Sequence, residues 1–350
     1  MSENATHHVV MLPWSAFGHL IPFFQLSIDI AKSGIHVSFI STPKNIQRLP
    51  KPPSDLSHLF HLVEIPFPSS LDSSHLFGGE ATVDIPFDKI QYLKLAWDQM
   101  QNPVKEFVSK LQPNWIICDF HAHWAVEIAQ ELHVKLMYFS VYSASTIVFF
   151  GPPGQMRAPT SPEDLTSPRE WVNFPSSVAF QRNEAIAFYQ SAYIENVTGL
   201  RDIDRVASVI DSANALSFRS CYEMEGEYLN LYQELIEKPV IPIVLPFVVD
   251  QPLNAKALVD KGLAIEVKRN NEDGSFSRDD IAKCLREAMV LEEGEKLRIK
   301  TREIAKVVGD LKLHHDYMEE FVKIVLSFYS ENFKLSSFLL FLKFDYFDLV

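Results

Sequence analysis

Apolar residues fall into two alternating patterns along this chain, short runs of strand length and stripes at helical spacing, and their order predicts the architecture. His7 to Pro13 reads as a short buried strand. From Leu20 the apolar residues Phe23, Phe24, Ile30 and Ala31 recur on one helical face until Gly34 stops the helix. Ile35 to Ile40 is a second strand. Strand, helix, glycine and strand in this order make a βαβ unit, with strands apolar enough to be covered on both faces.

The pattern then repeats with variations. His58 to Pro66 suits a strand, and Ile90, Leu93, Trp97, Met100, Val104, Phe107 and Leu111 form one stripe of a single long helix. After Pro113 come a strand at Trp115 to Asp119, a helix to about His133, and a strand at Val134 to Ser140. This alternation predicts an α/β fold with a doubly wound parallel sheet. Residues 151–182 are rich in Pro and Ser and read as an irregular surface excursion. Helices follow near Glu184 and Asp202, then a strand at Ala215 to Phe218 and a helix from Glu225 to Lys238.

Pro239-Val240-Ile241-Pro242 predicts a domain boundary, because two prolines in four residues suit neither a helix nor a central strand. Beyond the run Ile243 to Asp250, the chain predicts a helix from Gln251 to Lys261 capped by Gly262, and a strand at Leu263 to Val267. Asn270 to Gly274 reads as a turn, and Ser277 is the N-cap of a helix with acids in its first turn. Amphipathic helices continue to about Tyr329. Residues 331–350 hold five phenylalanines without a clear period and read as a poorly integrated tail or a short buried strand. Three units are therefore expected: 1–238, 239–330 and the tail 331–350.

A length of 350 residues agrees, since it exceeds what one hydrophobic core usually organises. The net charge of −13, with no stripe of Lys and Arg, makes nucleic acid an unsuitable partner. Cys118, Cys221 and Cys284 lie far apart and without CxxC spacing, which predicts neither a disulfide framework nor a zinc site. No apolar run approaches the roughly 18 residues of a membrane helix, and no basic segment precedes an apolar leader at the N-terminus. A cytoplasmic protein is expected.

In an open α/β sheet ligands bind at the carboxyl ends of the strands, so His19, just after the first strand, and Asp119, at the end of a later one, would face one crevice. A histidine held by a carboxylate is a general base of fixed tautomer, able to take a proton from a hydroxyl near neutral pH. The competing reading has His19 capping a turn and Asp119 capping the next helix. His121 and His123 are spaced as strand ligands can be but lack a Cys or Glu to complete a set, and His314-His315 point apart on a helix, so no metal is expected. The chain lacks Gly-x-Ser-x-Gly, Ser-x-x-Lys, Gly-x-Gly-x-x-Gly and Walker-type motifs.

One ordered set of motifs goes further. Trp14-Ser15-Ala16-Phe17-Gly18-His19-Leu20-Ile21-Pro22-Phe23 resembles the first-helix signature of plant UDP-dependent glycosyltransferases. Ile117-Cys118-Asp119-Phe120, Arg219-Ser220-Cys221-Tyr222-Glu223-Met224-Glu225 and Leu245-Pro246-Phe247-Val248-Val249-Asp250-Gln251-Pro252-Leu253-Asn254-Ala255 match the same family in order. The last, with Lys261-Gly262-Leu263-Ala264 and Asp273-Gly274-Ser275-Phe276, is most similar to the branch that extends glycosides, such as saponin rhamnosyltransferases and flavonoid-glycoside enzymes. The resemblance runs from residue 7 to about 328.

The resemblance implies a GT-B-like pair of facing Rossmann-like halves, with acceptor bound mainly by the first and UDP-sugar by the second. It makes His19 the base that deprotonates the acceptor hydroxyl, Asp119 its orienting carboxylate, and Gly18 part of the active-site turn. Asp250 and Gln251 match the pair that hydrogen-bonds the donor's sugar hydroxyls. UDP-sugar is then a co-substrate, no cofactor or metal is implied, and the protein is expected to be a monomer acting on a triterpenoid saponin or flavonoid glycoside.

The second half departs from the family pattern. Pro239 to Ile243 resembles the end of the interdomain linker yet runs directly into Val244-Leu245-Pro246, which resembles the end of the donor signature. The intervening Trp, Gln, His and Glu elements, which hold uracil, ribose and diphosphate in that family, are absent, and all five tryptophans precede the linker. The second Rossmann-like domain is thus expected to be truncated, leaving helices that expose apolar faces or collapse on the first domain. An enzyme by descent, a non-catalytic small-molecule-binding remnant and a mis-assembled gene are the readings this leaves open.

Overall fold

The computed structural model describes residues 7–68, 75–242, 252–270 and 275–327. Asp250 and Gln251, the turn residues 271–274 and the tail 331–350 lie outside them. The strands are β1 (His8–Leu12), β2 (His36–Ser41), β3 (Phe60–Glu64), β4 (Trp115–Cys118), β5 (Lys135–Ser140), β6 (Ala215–Phe218) and β7 (Val240–Pro242). They form one parallel 7-stranded sheet in the order β3-β2-β1-β4-β5-β6-β7.

Up to the sixth strand the helices are α1 (Phe17–Lys32), α2 (Pro43–Arg48), α3 (Ile90–Asp98), α4 (Gln101–Leu111), α5 (Ala125–Glu131), α6 (Ala144–Phe150), α7 (Pro153–Arg157), α8 (Arg182–Ala192) and α9 (Asp202–Ser212). Then come α10 (Tyr222–Ile236), α11 (Pro252–Asp260), α12 (Arg278–Met289), α13 (Glu295–Val308) and α14 (Leu311–Ser327). No helix among the described residues is long and apolar enough to cross a membrane.

Continuous apolar strands are explained by cover on both faces of the sheet. Val9 and Met11 of β1 pack with Leu20 and Phe23 of α1 on one face, while Val10 and Leu12 pack with Trp97, Val104 and Ile128 on the other. Gly34, at φ 83, closes α1 in the left-handed region, its N–H bonded to the Ala31 carbonyl at 2.9 Å. The chain winds from β1 outward to β2 and β3, then crosses back to β4 on the other side. The exits of β1 and β4 therefore flank the crevice where strand order reverses.

Three local expectations change. The long stripe is two helices, α3 and α4, separated at Gln99-Met100. Pro103 explains the break: it takes the third position of α4, where an N–H has no intrahelical partner to lose. The Pro239-Pro242 segment supplies the last strand, β7 pairing Val240 with Leu216 and Pro242 with Phe218. β7 lies at the sheet's edge among the described residues, where a proline breaks no ladder on its outer side. Leu263 to Val267 is not a strand, since no neighbouring strand lies beside it to satisfy its backbone.

The C-terminal helices take both of the courses expected of them. α14 packs on the α1 face, burying Phe321, Ile324 and Val325, and Trp115 Nε1 donates to the Val325 carbonyl at 3.0 Å. α12 and α13 bury no residue, and Leu285, Met289 and Val290 stand exposed. α11 is docked on α6: Leu253 and Ala257 are buried, and Asn254 Oδ1 accepts from the hydroxyls of Ser143 and Thr146. Ser177 N donates to Asp260 at 2.7 Å, and Arg269 pairs with Glu184 at 2.8 Å, fastening the same segment to the chain before α9.

Truncating Phe321 to alanine should cost about 3–5 kcal/mol, because a fully buried ring leaves a cavity between α14 and α1. Urea unfolding of Phe321→Ala checks this, and an unchanged midpoint would mean that α14 is not seated there. A second expectation concerns acid. The His8 ring stacks at 5.6 Å on His36, which stacks at 6.4 Å on His61. Burial, then the neighbouring His36 and His61, push His8 down to about 4. The unfolded chain binds this proton near pH 6.5, more readily than the fold does, so stability should fall from about pH 6.5 down to about pH 4. Thermal melts across that range should show a shallower decline for His8→Gln.

Candidate active site

β1 ends at Leu12, and a tight turn follows in which Ala16 N bonds the Trp14 carbonyl at 2.8 Å. The Ala16 carbonyl then accepts from His19 N and Leu20 N at 2.8 Å each, opening α1. His19 is thus the third residue of α1. On the adjacent strand Asp119 N donates to the Leu12 carbonyl at 3.1 Å, one step past the last β1–β4 pair, which sets its carboxylate beside the turn.

Three donors meet that carboxylate. Asp119 Oδ2 accepts from Trp14 N at 3.1 Å and from His19 Nδ1 at 2.7 Å, and Oδ1 accepts from Phe120 N at 2.8 Å. Asp119 is 1% exposed and His19 9%. A carboxylate can only accept, so Nδ1 carries the imidazole proton and Nε2 is left as the basic nitrogen. This arrangement replaces the capping reading: α5 starts only at Ala125, and the Asp119 side chain bonds the residue next to it rather than that helix.

Gly18 lies inside α1 rather than in the turn, and a Cβ there would meet nothing within 4 Å. What it leaves beside His19 is open space. The sequence-predicted donor residues Asp250 and Gln251 fall outside the described residues. His121 and His123 make no ligand cluster among the described residues. His121 packs its ring at 4.1 Å on both Trp14 and Phe120, and burial with the nearby Lys94 and Arg205 charges holds its pKa well below the usual value. His123 Nδ1 lies 3.0 Å from Arg205 and is pushed down by burial and by that charge.

The His19 ring lies 5.6 Å from the rings of both Phe120 and Tyr142. Those two rings also wall a cavity of about 230 Å³ between the end of β5 and helices α6, α8 and α9. Phe150, Phe180, Phe188 and Leu253 of α11 also line it. A largely apolar molecule can therefore sit next to the base.

Sequence reasoning missed the residues that hold this cavity in shape. Glu225, 7% exposed, accepts from Ala144 N (3.0 Å), Ser145 N (2.9 Å), Ser145 Oγ (2.7 Å) and Ser220 Oγ (2.6 Å), so one carboxylate caps α6. Its own backbone leaves helical geometry to do so, at φ −137 and ψ 28. Arg205, 1% exposed, forks onto Asp98 with two bonds of 2.6 Å and donates to Thr198 Oγ1 at 2.7 Å. Lys94 pairs with Asp202, which lines the cavity. A charge among the inward positions Ile203, Ala207 and Ile210 is the signal that could have found Arg205.

No family profile matches the chain. It is 44% identical over 242 residues to UDP-glycosyltransferase 91A1 of Arabidopsis thaliana, covering 68% of this chain and 51% of the relative. The chain thus spans about half the length of that relative. It is 25% identical over 455 residues to soyasaponin III rhamnosyltransferase of Glycine max, covering 92% of this chain and 96% of the relative. That alignment exceeds the 350 residues present, so part of the relative has no counterpart here. Among solved structures, Phytolacca americana UGT2 complexed with UDP-2fluoro-glucose and pterostilbene shares the fold with a TM-score of 0.62 at 12% identity, over 91% of this chain and 100% of that one.

Replacing Glu225 by glutamine keeps the shape but turns one of its two accepting oxygens into a donor, leaving two of the four donors unmet, and should cost about 2 kcal/mol. Urea denaturation of Glu225→Gln measures it, and a change under about 0.5 kcal/mol would dismiss the carboxylate as the anchor of α6.

Proposed function

The chain belongs to the UDP-glycosyltransferase family, with its α/β, GT-B-like fold, and from that membership we propose that it binds a hydroxylated small molecule beside His19 and activates it for sugar transfer. The buried 2.7 Å bond between His19 Nδ1 and Asp119 carries the reading. Nε2 takes the proton of the acceptor hydroxyl, Asp119 steadies the imidazolium that forms, and the freed oxygen attacks the anomeric carbon of a UDP-sugar. UDP leaves from the opposite side with the bonding electrons, so the configuration inverts. Phe120 and Tyr142 support this assignment by touching both the histidine and the cavity.

In this reading residues 1–238 hold the acceptor, and 239–330 are what remains of the unit that grips the donor. Asp250 and Gln251 would hydrogen-bond the sugar hydroxyls. The acceptor is a plant specialised metabolite, a triterpenoid saponin or flavonoid glycoside, and the protein acts as a cytoplasmic monomer. Unpaired Cys118, Cys221 and Cys284 suit that compartment. Only residues 243–251 separate β7 from α11, and no tryptophan follows Trp171. Leaving-group stabilisation supplies much of the rate of such a transfer, so this chain turns over slowly.

A second reading is a non-catalytic binder, favoured by α11, which brings Leu253 to the cavity wall while the diphosphate-holding elements are missing from the sequence. Calorimetric titration with UDP and with a flavonoid glycoside, beside a turnover assay with UDP-glucose and UDP-rhamnose, separates the two. Acceptor binding without UDP binding or turnover selects the binder. Where transfer is detected, His19→Ala should lower it about 10³-fold and leave UDP binding unchanged. Wild-type turnover by that variant would remove His19 from the mechanism.

A further inference from the structure

Most polar side chains in the wall of the cavity beside His19 are engaged or sealed. Thr146 Oγ1 is bonded to Ser143 Oγ at 2.8 Å and to Asn254 Oδ1 at 3.1 Å. Ser191 Oγ donates to the Phe188 carbonyl at 2.9 Å, and Asp202 accepts from Lys94 and from Asn196 Nδ2 at 3.1 Å. The Tyr138 hydroxyl is a buried atom. Tyr142 differs. It lines the cavity, keeps part of its surface accessible, and its hydroxyl takes part in no hydrogen bond among the described residues. A side chain crowded by neighbours that still has open surface is what the wall of a cavity presents.

The place of Tyr142 is fixed by groups other than that hydroxyl. It follows β5, and Ser140 Oγ accepts from its N–H and donates to its carbonyl at 3.2 Å each. Its ring stands edge-on to His19, with centroids 5.6 Å apart and planes at 79°, and lies 5.8 Å from the ring of Phe120. The carboxylates whose charges act on the hydroxyl are Asp119, which holds the Nδ1 side of His19, and Asp202, which lines the cavity. Burial, followed by those two charges, pushes the phenol above its usual value, so it stays protonated and offers a donor. One molecule seated against His19 can therefore meet a base and a hydrogen-bond donor at the same end. The volume, about 230 Å³, is below the roughly 300 Å³ at which drug-sized pockets begin, so that end is compact.

Taking the cavity as the acceptor site, we propose that Tyr142 Oη selects acceptors with a second oxygen on the carbon next to the attacked hydroxyl, donating to that oxygen while His19 Nε2 takes the proton. Neighbouring oxygens match a base and a donor whose rings are in edge contact. An oxygen at the far end of the molecule does not. The class recognised is the vicinal diol.

Three naphthols of one skeleton test this with the full chain. 2,3-Dihydroxynaphthalene has the neighbouring oxygen, 2-naphthol lacks it, and 2,7-dihydroxynaphthalene carries it on the other ring. Calorimetry should find the 2,3-isomer bound about tenfold more tightly than 2-naphthol, and the 2,7-isomer within about twofold of 2-naphthol. Tyr142→Phe should bring the 2,3-isomer level with the other two. The hydroxyl it removes has no protein partner, so an unchanged melting temperature checks that the variant folds. A 2,3-preference that never appears, or that survives Tyr142→Phe, overturns this inference and leaves the acceptor-site reading standing. Equal weakening of all three probes by Tyr142→Phe does the same, because a ring that only shapes the cavity would give it. Failure of all three to bind the parent chain overturns the acceptor-site reading and this inference with it.

Discussion

A carboxylate taken out of water must be met by donors, and the three that meet Asp119 come from places the chain otherwise keeps apart. Trp14 N belongs to the turn after β1, His19 Nδ1 to the first turn of α1, and Phe120 N to the exit of β4. Satisfying one buried charge therefore joins the two strand exits at the point where sheet order reverses. The same bond fixes which nitrogen of His19 is basic, and the backbone of Phe120 is held so that its ring walls both the histidine and the cavity. Loss of that carboxylate would release all three at once.

The cavity depends on two further buried polar anchors rather than on its own apolar lining. Glu225 gathers the first backbone donors of α6, and Arg205 on α9 is locked to Asp98 on α3. Aromatic rings between these helices can slide with modest loss of contact, but a charged fork or a capped helix end cannot without leaving a buried group unpaired. Position is thus set by the polar groups and volume by the rings.

Helices beyond β7 show how an apolar stripe behaves with and without a partner surface. α14 finds the α1 face of the sheet and buries Phe321, Ile324 and Val325. α12 and α13 have stripes of their own and no such face, so Leu285, Met289 and Val290 remain exposed. The difference is one of available partner surface, since all three helices are amphipathic in sequence.

Local pattern was enough for the parallel α/β sheet, for six of the strands, and for the ends of α1 at Gly34 and of α12 at Ser277, because strand burial, glycine caps and serine caps act within a few residues. The motif around His19 and the strand ending at Asp119 also pointed to one crevice. Partnership over longer distance was not legible in this way. That Arg205 would face Asp98, that Glu225 would cap α6, and that β7 would join the sheet's edge were decided by tertiary contacts between residues far apart in sequence. Periodicity records which side of an element is buried, whereas the identity of what lies against that side exists only once the chain has closed around it.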